Sequence, residues 1–210
     1  ARRMQIPVDS ATAAVVGASG SIGSVCSILL ARQVGKTLLI GRRDTALEPL
    51  EKQILAEGNY ASRSTDVAKL READIIITVT SSLDEIIHPE HLKPGAVICD
   101  VARPRDVSVQ VAEQRRDVLI IDGGMVRVPG EVDFGFDFGF PPGLAYACMA
   151  ETMILALEGL YQDYSIGKEI TIQQVETISG MARRHGFQLA GFRSFERAVL
   201  DTEIQEIRQR

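Results

Sequence analysis

The sequence predicts an α/β protein built on a doubly wound parallel sheet and followed by a C-terminal helical segment. Two observations support this fold class. Short apolar runs rich in β-branched residues, such as the one at 73–79, alternate with segments of helical length over residues 13–122. The first apolar run, 13–16, also ends in a glycine-rich turn and leads into a helix-like segment. Strands that alternate with helices in this way favour parallel pairing with right-handed crossovers.

The predicted elements follow in a regular order. Strands are expected at 13–16, 36–40, 60–63, 73–79, 96–99 and 118–121, and helices at 25–34, 44–57, 66–72 and 107–114. Beyond Gly124 the pattern changes, because residues 126–140 alternate apolar and polar side chains with glycines, which predicts a hairpin or a covering loop. Further helices are expected at 143–164, 171–185 and 194–208.

Composition limits the classes of protein that fit. The 210 residues, 45% of them hydrophobic, can bury a substantial core, and the net charge of −5 disfavours a general nucleic-acid binder. The longest low-charge stretch, 141–157, contains Glu151 and predicts a buried helix rather than a membrane span. The three cysteines have no metal-ligand spacing, so we expect no metal site, and with no visible signal peptide they indicate the cytoplasm. The abrupt start at Ala1 leads us to expect a further domain upstream.

The glycine-rich turn predicts a phosphate site. Gly17, Gly20 and Gly23 follow the first strand with the spacing G-x-x-G-x-x-G. Backbone N–H groups at a helix N-terminus bind phosphate, and glycine lets the backbone approach the anion closely. A tight strand-to-helix turn without a ligand is the alternative explanation. We expect cofactor binding by this turn and by residues after later strands, namely Gly17, Ser19, Gly20, Ser21, Ile22, Gly23, Thr80, Gly123 and Gly124.

The end of the second predicted strand indicates which nucleotide binds. An acidic residue there accepts from the ribose 2′-hydroxyl of NAD, but this strand ends in Gly41, Arg42 and Arg43. Two guanidinium groups would bind a 2′-phosphate instead, although two solvated loop arginines would give the same pattern. The sequence therefore predicts NADP(H) rather than NAD(H), bound by a Rossmann-like domain over residues 1–140, with a helical region over 141–210.

Cys148 is the candidate nucleophile. It lies near the start of the helix predicted over 143–164, where the positive end of the helix dipole favours a thiolate. Helical periodicity places it opposite the main apolar stripe of that helix. A small side chain that fills a gap between helices is the alternative. Cys26 and Cys99 are interpreted as core residues.

Several segments together resemble a known family. They are 15–23, Gly41-Arg42-Arg43, Asp122-Gly123-Gly124, 145–151, Leu160-Tyr161, Ile170-Thr171 and Arg184-His185-Gly186-Phe187. In this order they resemble the cyanobacterial-type long-chain acyl-(acyl-carrier-protein) reductases and their bacterial relatives, from about residue 4 to residue 187. The resemblance implies NADPH-dependent reduction of a fatty acyl thioester, carried by acyl-carrier protein or CoA, to the aldehyde. It also implies that Cys148 takes the acyl group as an enzyme thioester.

Two other functions fit the same residues. One is an NADP-dependent dehydrogenase of a small ketone or amino-acid-like substrate without a covalent step, in which Cys148 only packs. The other is a nucleotide-binding module with no chemistry of its own. The reactivity of the Cys148 thiol separates these alternatives from the reductase. A homo-oligomer is compatible with the sequence.

Overall fold

The structure is a computed structural model that describes residues 1–136, 139–167, 169–195 and 197–210. It divides into two compact units, of which the first is Ala1–Ile121 with Val199–Arg210 and the second is Asp122–Ala198. The sequence predicts a cofactor-binding domain that ends at residue 140. The division into compact units reports only which residues contact each other, so the predicted domain stays a prediction. Among the described residues, no helix is long and apolar enough to cross a membrane.

The main sheet has six parallel strands in the order β3-β2-β1-β4-β5-β6. They are β1 (Thr12–Val16), β2 (Lys36–Ile40), β3 (Ala61–Ser64), β4 (Ile75–Thr78), β5 (Val97–Asp100) and β6 (Leu119–Asp122). β1 lies between β2 and β4, with Val15 opposite Leu39 on one side and Ile77 on the other. The strand order therefore reverses between β1 and β4, which confirms the doubly wound sheet predicted from the sequence.

Helices and the core of the first unit follow the apolar pattern of the sequence. The helices are α1 (Ser21–Ala31), α2 (Asp44–Ala56), α3 (Val109–Gln114) and α6 (Asp201–Arg208), with 3₁₀ turns at Arg2–Met4, Val67–Glu72 and Pro89–His91. Val15, Leu39, Ile76 and Ile98 are fully buried in the sheet. Because both faces of such strands are covered, their side chains are apolar at successive positions rather than at alternate ones.

In its described residues, the second unit combines a small sheet with two helices. Its strands β7 (Met125–Arg127), β8 (Leu144–Tyr146) and β9 (Gln188–Leu189) pair antiparallel in the order β8-β7-β9, and β10 (Arg193–Ser194) pairs with β11 (Arg197–Ala198). Helices α4 (Ala147–Leu157) and α5 (Ile172–Arg184) pack around a core that includes Ala145, Ile154, Met181 and Phe187. α5 confirms the helix predicted over 171–185.

Two of the predicted C-terminal helices are wrong in part. The helix predicted over 143–164 is reduced to α4, because Leu144–Tyr146 pairs with β7 and the chain leaves the helix at Gly159, whose φ is 68°. The helix predicted over 194–208 retains only α6, since Arg193–Ser194 and Arg197–Ala198 form the β10–β11 pair. Within the hairpin or loop predicted over 126–140, residues 137 and 138 lie outside the described residues.

Candidate functional site

A cleft of about 320 Å³ opens in the first unit at the carboxyl ends of β1, β2 and β4. It is lined by Val16, Gly17, Ser19, Gly20, Ile40, Gly41, Arg42, Thr65, Val67, Val79, Thr80, Ser81, Ser82 and Ile86. Ligands of open α/β sheets bind where the strand order reverses, outside the carboxyl ends of the strands. The cleft has that position, and it brings together Gly17, Ser19, Gly20, Arg42 and Thr80 of the predicted cofactor residues.

Gly17 and Gly23 allow the backbone to pack closely where β1 leads into α1. Gly17 has a φ of +84°, and a Cβ built on it would lie 2.8 Å from the carbonyl oxygen of Val79. A Cβ built on Gly23 would lie 2.1 Å from the carbonyl oxygen of Gly17. No side chain fits at either position without movement of the backbone. The two glycines therefore seat the start of α1 directly against the end of β1.

The N-terminus of α1 offers backbone donors next to the cleft. Gly20 is the N-cap and supplies no side-chain hydrogen bond, and Ser24 N donates to Gly20 O at 2.9 Å. The N–H groups of Ser21, Ile22 and Gly23 precede this first intrahelical bond and have no partner inside the helix. Together with the helix dipole they favour an anion. The glycine cradle and these donors fit the pyrophosphate of a dinucleotide.

Positive charge lies where β2 ends. Arg42 lines the cleft, and Arg43 is the exposed N-cap of α2. The adjacent carboxylate of Asp44 pairs with Arg63, whose Nε lies 2.9 Å from Asp44 Oδ1 and which also pairs with Glu51. Neither Arg42 nor Arg43 forms an ion pair with any residue that the structure describes. The cleft therefore presents the guanidinium group of Arg42 at the end of β2, and Arg43 follows it, exposed and without an ion pair to any described residue.

Thr80 is held by a buried carboxylate that the sequence analysis missed. Thr80 N donates to Asp106 Oδ2 at 3.1 Å, and the hydroxyls of Thr78 and Thr80 donate to the same carboxylate. Ser82 N in turn donates to Thr80 Oγ1 at 3.1 Å. Asp106 follows β5 and is fully buried. In the sequence, Asp106 is recognisable only as an acidic residue in the loop at the carboxyl end of β5. The sequence does not reveal that its side chain points into the protein.

Asp100, at the end of β5, is a second buried carboxyl group. It is 1% exposed, and it accepts hydrogen bonds from Ala102 N and Val107 N, each at 3.0 Å. Burial, together with the nearby charge of Asp106, raises the pKa of Asp100 to about 6, because these effects outweigh the two amide donors. Asp100 contacts only the backbone of its own loop through these bonds.

The buried Asp100 predicts a pH-dependent contribution to stability. The pKa of Asp100 is raised in the native protein above its ordinary value of 3.8. Its contribution to the free energy of unfolding is therefore complete below pH 3.8 and is lost as the pH rises through about 6. We expect the difference in unfolding free energy between wild type and Asp100→Asn to fall by about 2 kcal/mol from pH 4.5 to pH 7.5, measured by urea unfolding.

Asp117→Asn is the control for this measurement. Hydrogen bonding to Arg115 lowers the pKa of Asp117 below 3.8, so its contribution to stability is nearly complete at pH 4.5 and the corresponding difference should stay nearly constant up to pH 7.5. A pH-independent difference for Asp100→Asn would show that the Asp100 carboxyl keeps its ordinary pKa in the native protein.

Cys148 is the second residue of α4 and is exposed. The N-cap of α4, Tyr146, supplies no side-chain hydrogen bond, and Ala147 N donates to Gly124 O at 2.7 Å. The buried side chains of α4 are Ala150, Ile154 and Leu155. Because the Cys148 thiol is exposed, it does not fill a gap in the core of its unit.

The remaining predicted residues lie elsewhere in the fold. Gly123 and Gly124 follow β6 and belong to the second unit, as Cys148 does. Cys26 and Cys99 are half-buried, and burial raises the pKa of the Cys26 thiol. A search of the described residues finds no group of three or more histidine, cysteine or acidic side chains suited to a metal ion.

Comparison with known proteins adds to this geometry. The family model described as shikimate / quinate 5-dehydrogenase matches residues 1–123. The long-chain acyl-[acyl-carrier-protein] reductase of Synechococcus elongatus is 34% identical over 196 residues, which are 90% of this chain and 56% of that protein. The aminotransferase PigE of a Serratia species is 33% identical over 195 residues, which are 88% of this chain and 22% of that protein. The chain thus spans about half of the first relative and less of the second.

A solved structure, the Δ1-pyrroline-2-carboxylate reductase of Thermococcus litoralis, aligns with a TM-score of 0.45 and 13% identity over 55% of this chain and 38% of its own. A likeness of this extent indicates nothing about the substrate. The family match covers the glycine cradle, the end of β2 and the loop after β4, which together form the cleft. The chain belongs to the shikimate/quinate 5-dehydrogenase family and carries the Rossmann-type NAD(P)-binding domain of an oxidoreductase.

Proposed function

We propose that the protein reduces a fatty acyl thioester to the aldehyde with NADPH, through an acyl-enzyme on Cys148. The observation that carries the proposal is the exposed thiol of Cys148 in the first turn of α4. The 34% identity to the acyl-[acyl-carrier-protein] reductase of Synechococcus elongatus supports the same chemistry. In this proposal acyl-carrier protein or CoA carries the acyl group.

Charge at the end of β2 supports NADPH as the reductant. Arg42 lines the cleft. The nearest carboxylate in the sequence, that of Asp44, forms an ion pair with Arg63. A guanidinium group binds a phosphate through paired, charge-assisted hydrogen bonds, whereas it gains little from a ribose hydroxyl. We therefore assign the 2′-phosphate of NADPH to Arg42 and Arg43.

Replacement of Arg42 tests this assignment. In Arg42→Ala we expect the Kd for NADPH to rise about 10- to 100-fold and the Kd for NADH to change less than about threefold, since only NADPH has the phosphate. Fluorescence titration with each cofactor measures both constants.

Arg32→Ala is the matched control, because it removes the same charge from the C-cap of α1, where Arg32 pairs with Glu57. It should leave both constants unchanged. An equal loss of both cofactors in Arg42→Ala would contradict the role of Arg42 in selectivity.

The proposed chemistry begins at Cys148. Its thiolate attacks the thioester carbonyl, a new carbon–sulfur bond forms, and the carrier thiol leaves. Exchange of one thioester for another is nearly isoenergetic and holds the acyl carbon on the protein. Gly124 lies beside the start of α4, since its carbonyl accepts from Ala147 N, and we assign Gly123 and Gly124 as backbone donors to the oxyanion. NADPH, when bound, supplies the hydride, and release of the aldehyde returns the Cys148 thiolate.

Intact-mass spectrometry tests the proposal directly. The protein is mixed with palmitoyl-CoA in the absence of NADPH, and we expect a mass increase of one palmitoyl group that peptide mapping places on Cys148. Addition of NADPH should remove the adduct and produce the aldehyde. If no adduct forms while NADPH still binds, the covalent mechanism is wrong.

If no adduct forms, the family match favours a second candidate function. The matched region, residues 1–123, includes the cleft but ends before Cys148. The second candidate is therefore a dehydrogenase of a small ketone or amino-acid-like substrate, without covalent catalysis. Oxidation or reduction of such compounds with NADP(H), unaffected by loss of the Cys148 thiol, would identify it.

A further inference from the structure

We propose that Asp106 is a positioning residue for the dinucleotide, because it fixes both ends of the segment 79–87 that forms one wall of the cleft. This inference deepens the proposed function by naming a residue that controls cofactor affinity. It rests on NAD(P) binding in the cleft and is independent of the chemistry proposed at Cys148.

The side chain of Asp106 holds the beginning of this segment. Its carboxylate accepts the hydroxyl hydrogens of Thr78 and Thr80 and the N–H of Thr80. A buried carboxylate must be hydrogen-bonded to be tolerated, and Asp106 has no exposed surface. Because these donors come from β4 and the loop after it, the charge is tied to the cleft wall rather than to its own loop.

The backbone of Asp106 holds the end of the same segment. Its carbonyl oxygen accepts from Ile86 N at 2.8 Å and from Ile87 N at 2.9 Å. The segment includes the cleft residues Val79, Thr80, Ser81, Ser82 and Ile86. One residue thus holds both ends of a segment that contributes to the lining of the cleft.

The anchored wall lies directly against the phosphate-binding turn. The atoms nearest to a Cβ built on Gly17 are Val79 O at 2.8 Å, Val79 C at 3.1 Å and Thr80 Cγ2 at 3.2 Å. Val79 N also donates to Val16 O at 3.0 Å. A displacement of Thr80 therefore changes the space available beside Gly17, where the backbone approaches the pyrophosphate.

Asparagine at position 106 cannot satisfy this set of donors. If its oxygen takes the place of Oδ2, its amide hydrogens face Thr80 Oγ1, and the hydroxyl hydrogen of Thr80 loses its acceptor. If its oxygen takes the place of Oδ1, its amide hydrogens face the N–H of Thr80. In either orientation Thr80 loses a hydrogen bond to a charged acceptor, and the cleft wall is less firmly held.

The test compares cofactor affinity with stability in two matched variants. We expect Asp106→Asn to raise the Kd for NADPH about tenfold, measured by fluorescence titration. Asp100→Asn is the control, because Asp100 is an equally buried carboxyl at the same sheet edge and bonds to no residue of the cleft wall. It should destabilise the fold in urea unfolding below pH 6, where Asp100 still contributes to stability, and leave the Kd measured at the same pH within about twofold of wild type.

A second pair of variants applies if Asp106→Asn does not fold. Thr80→Val removes the hydroxyl that donates to Asp106 while keeping the shape of the side chain, and Thr80→Ser keeps the hydroxyl. We expect a several-fold higher Kd for NADPH in Thr80→Val and a Kd within about threefold of wild type in Thr80→Ser.

The outcomes separate this inference from the proposed function. If the wild-type chain binds neither NADPH nor NADH, both are overturned. If wild type binds NADPH, then an unchanged Kd in Asp106→Asn, or in Thr80→Val when Asp106→Asn does not fold, overturns the positioning role alone. A Kd that rises equally in Asp106→Asn and Asp100→Asn also overturns it, because affinity would then follow general stability.

Discussion

Replacement of Cys148 by alanine is expected to reduce aldehyde formation from a long-chain acyl-CoA at least about 1,000-fold, because the proposed reaction has no other route to the acyl-enzyme. Cys148→Ser should retain a trace of activity at most, since a hydroxyl at neutral pH is a far weaker nucleophile than a thiolate. Steady-state assays of NADPH oxidation and of aldehyde release measure both effects.

Binding of NADPH should be unchanged in both Cys148 variants. Cys148 and the cleft belong to different compact units, and Cys148 is not a lining residue of the cleft. A fluorescence titration that gives a wild-type Kd, together with loss of turnover, would separate the chemical step from cofactor binding.

Cys26→Ala is the control for general effects of thiol removal. Cys26 is half-buried in α1, and burial raises the pKa of its thiol, which makes it a poor nucleophile. This variant should keep wild-type turnover. Full activity in Cys148→Ala would remove the acyl-enzyme from the mechanism and favour the dehydrogenase without a covalent step.

Substitution of Gly23 by alanine is expected to abolish NADPH binding and to lower the unfolding free energy by about 3 kcal/mol or more. The added Cβ would lie 2.1 Å from Gly17 O and 2.8 Å from Gly17 C, and both atoms belong to the backbone. Neither can move aside as a flexible side chain would. Relief of the overlap requires α1 to move away from the end of β1, which separates the phosphate donors from the glycine cradle.

Urea unfolding and fluorescence titration measure this effect, and Gly180→Ala is its control. Gly180 lies inside α5, and a Cβ built on it meets no atom within 4 Å. Alanine there should stabilise the protein by about 0.5–1 kcal/mol, because alanine has the higher helix propensity. Wild-type NADPH affinity in Gly23→Ala would contradict the close packing of α1 against Gly17.

The sequence by itself determined the elements that depend on neighbouring residues. The apolar runs of the strands other than β3, the glycine turn before α1 and the arginines after β2 are all local signals, and the main sheet follows them. The fold class was predictable for this reason, and so was the position of the cleft, because the carboxyl ends of parallel strands always meet at one edge of a sheet. The exposure of Cys148 also agrees with the helical periodicity around it.

Only the tertiary structure decided which distant groups meet. Thr80 and Asp106 are 26 residues apart, and Asp44 and Arg63 are 19 apart, so no local pattern indicates either pair. The same reason explains the shortened α4: Leu144–Tyr146 is compatible with a helix until β7 offers it a partner for its backbone hydrogen bonds. Local sequence sets the preference of each segment, but the partners of buried polar groups depend on the packing of the whole chain, because a donor or acceptor removed from water must be paired wherever the fold brings a partner.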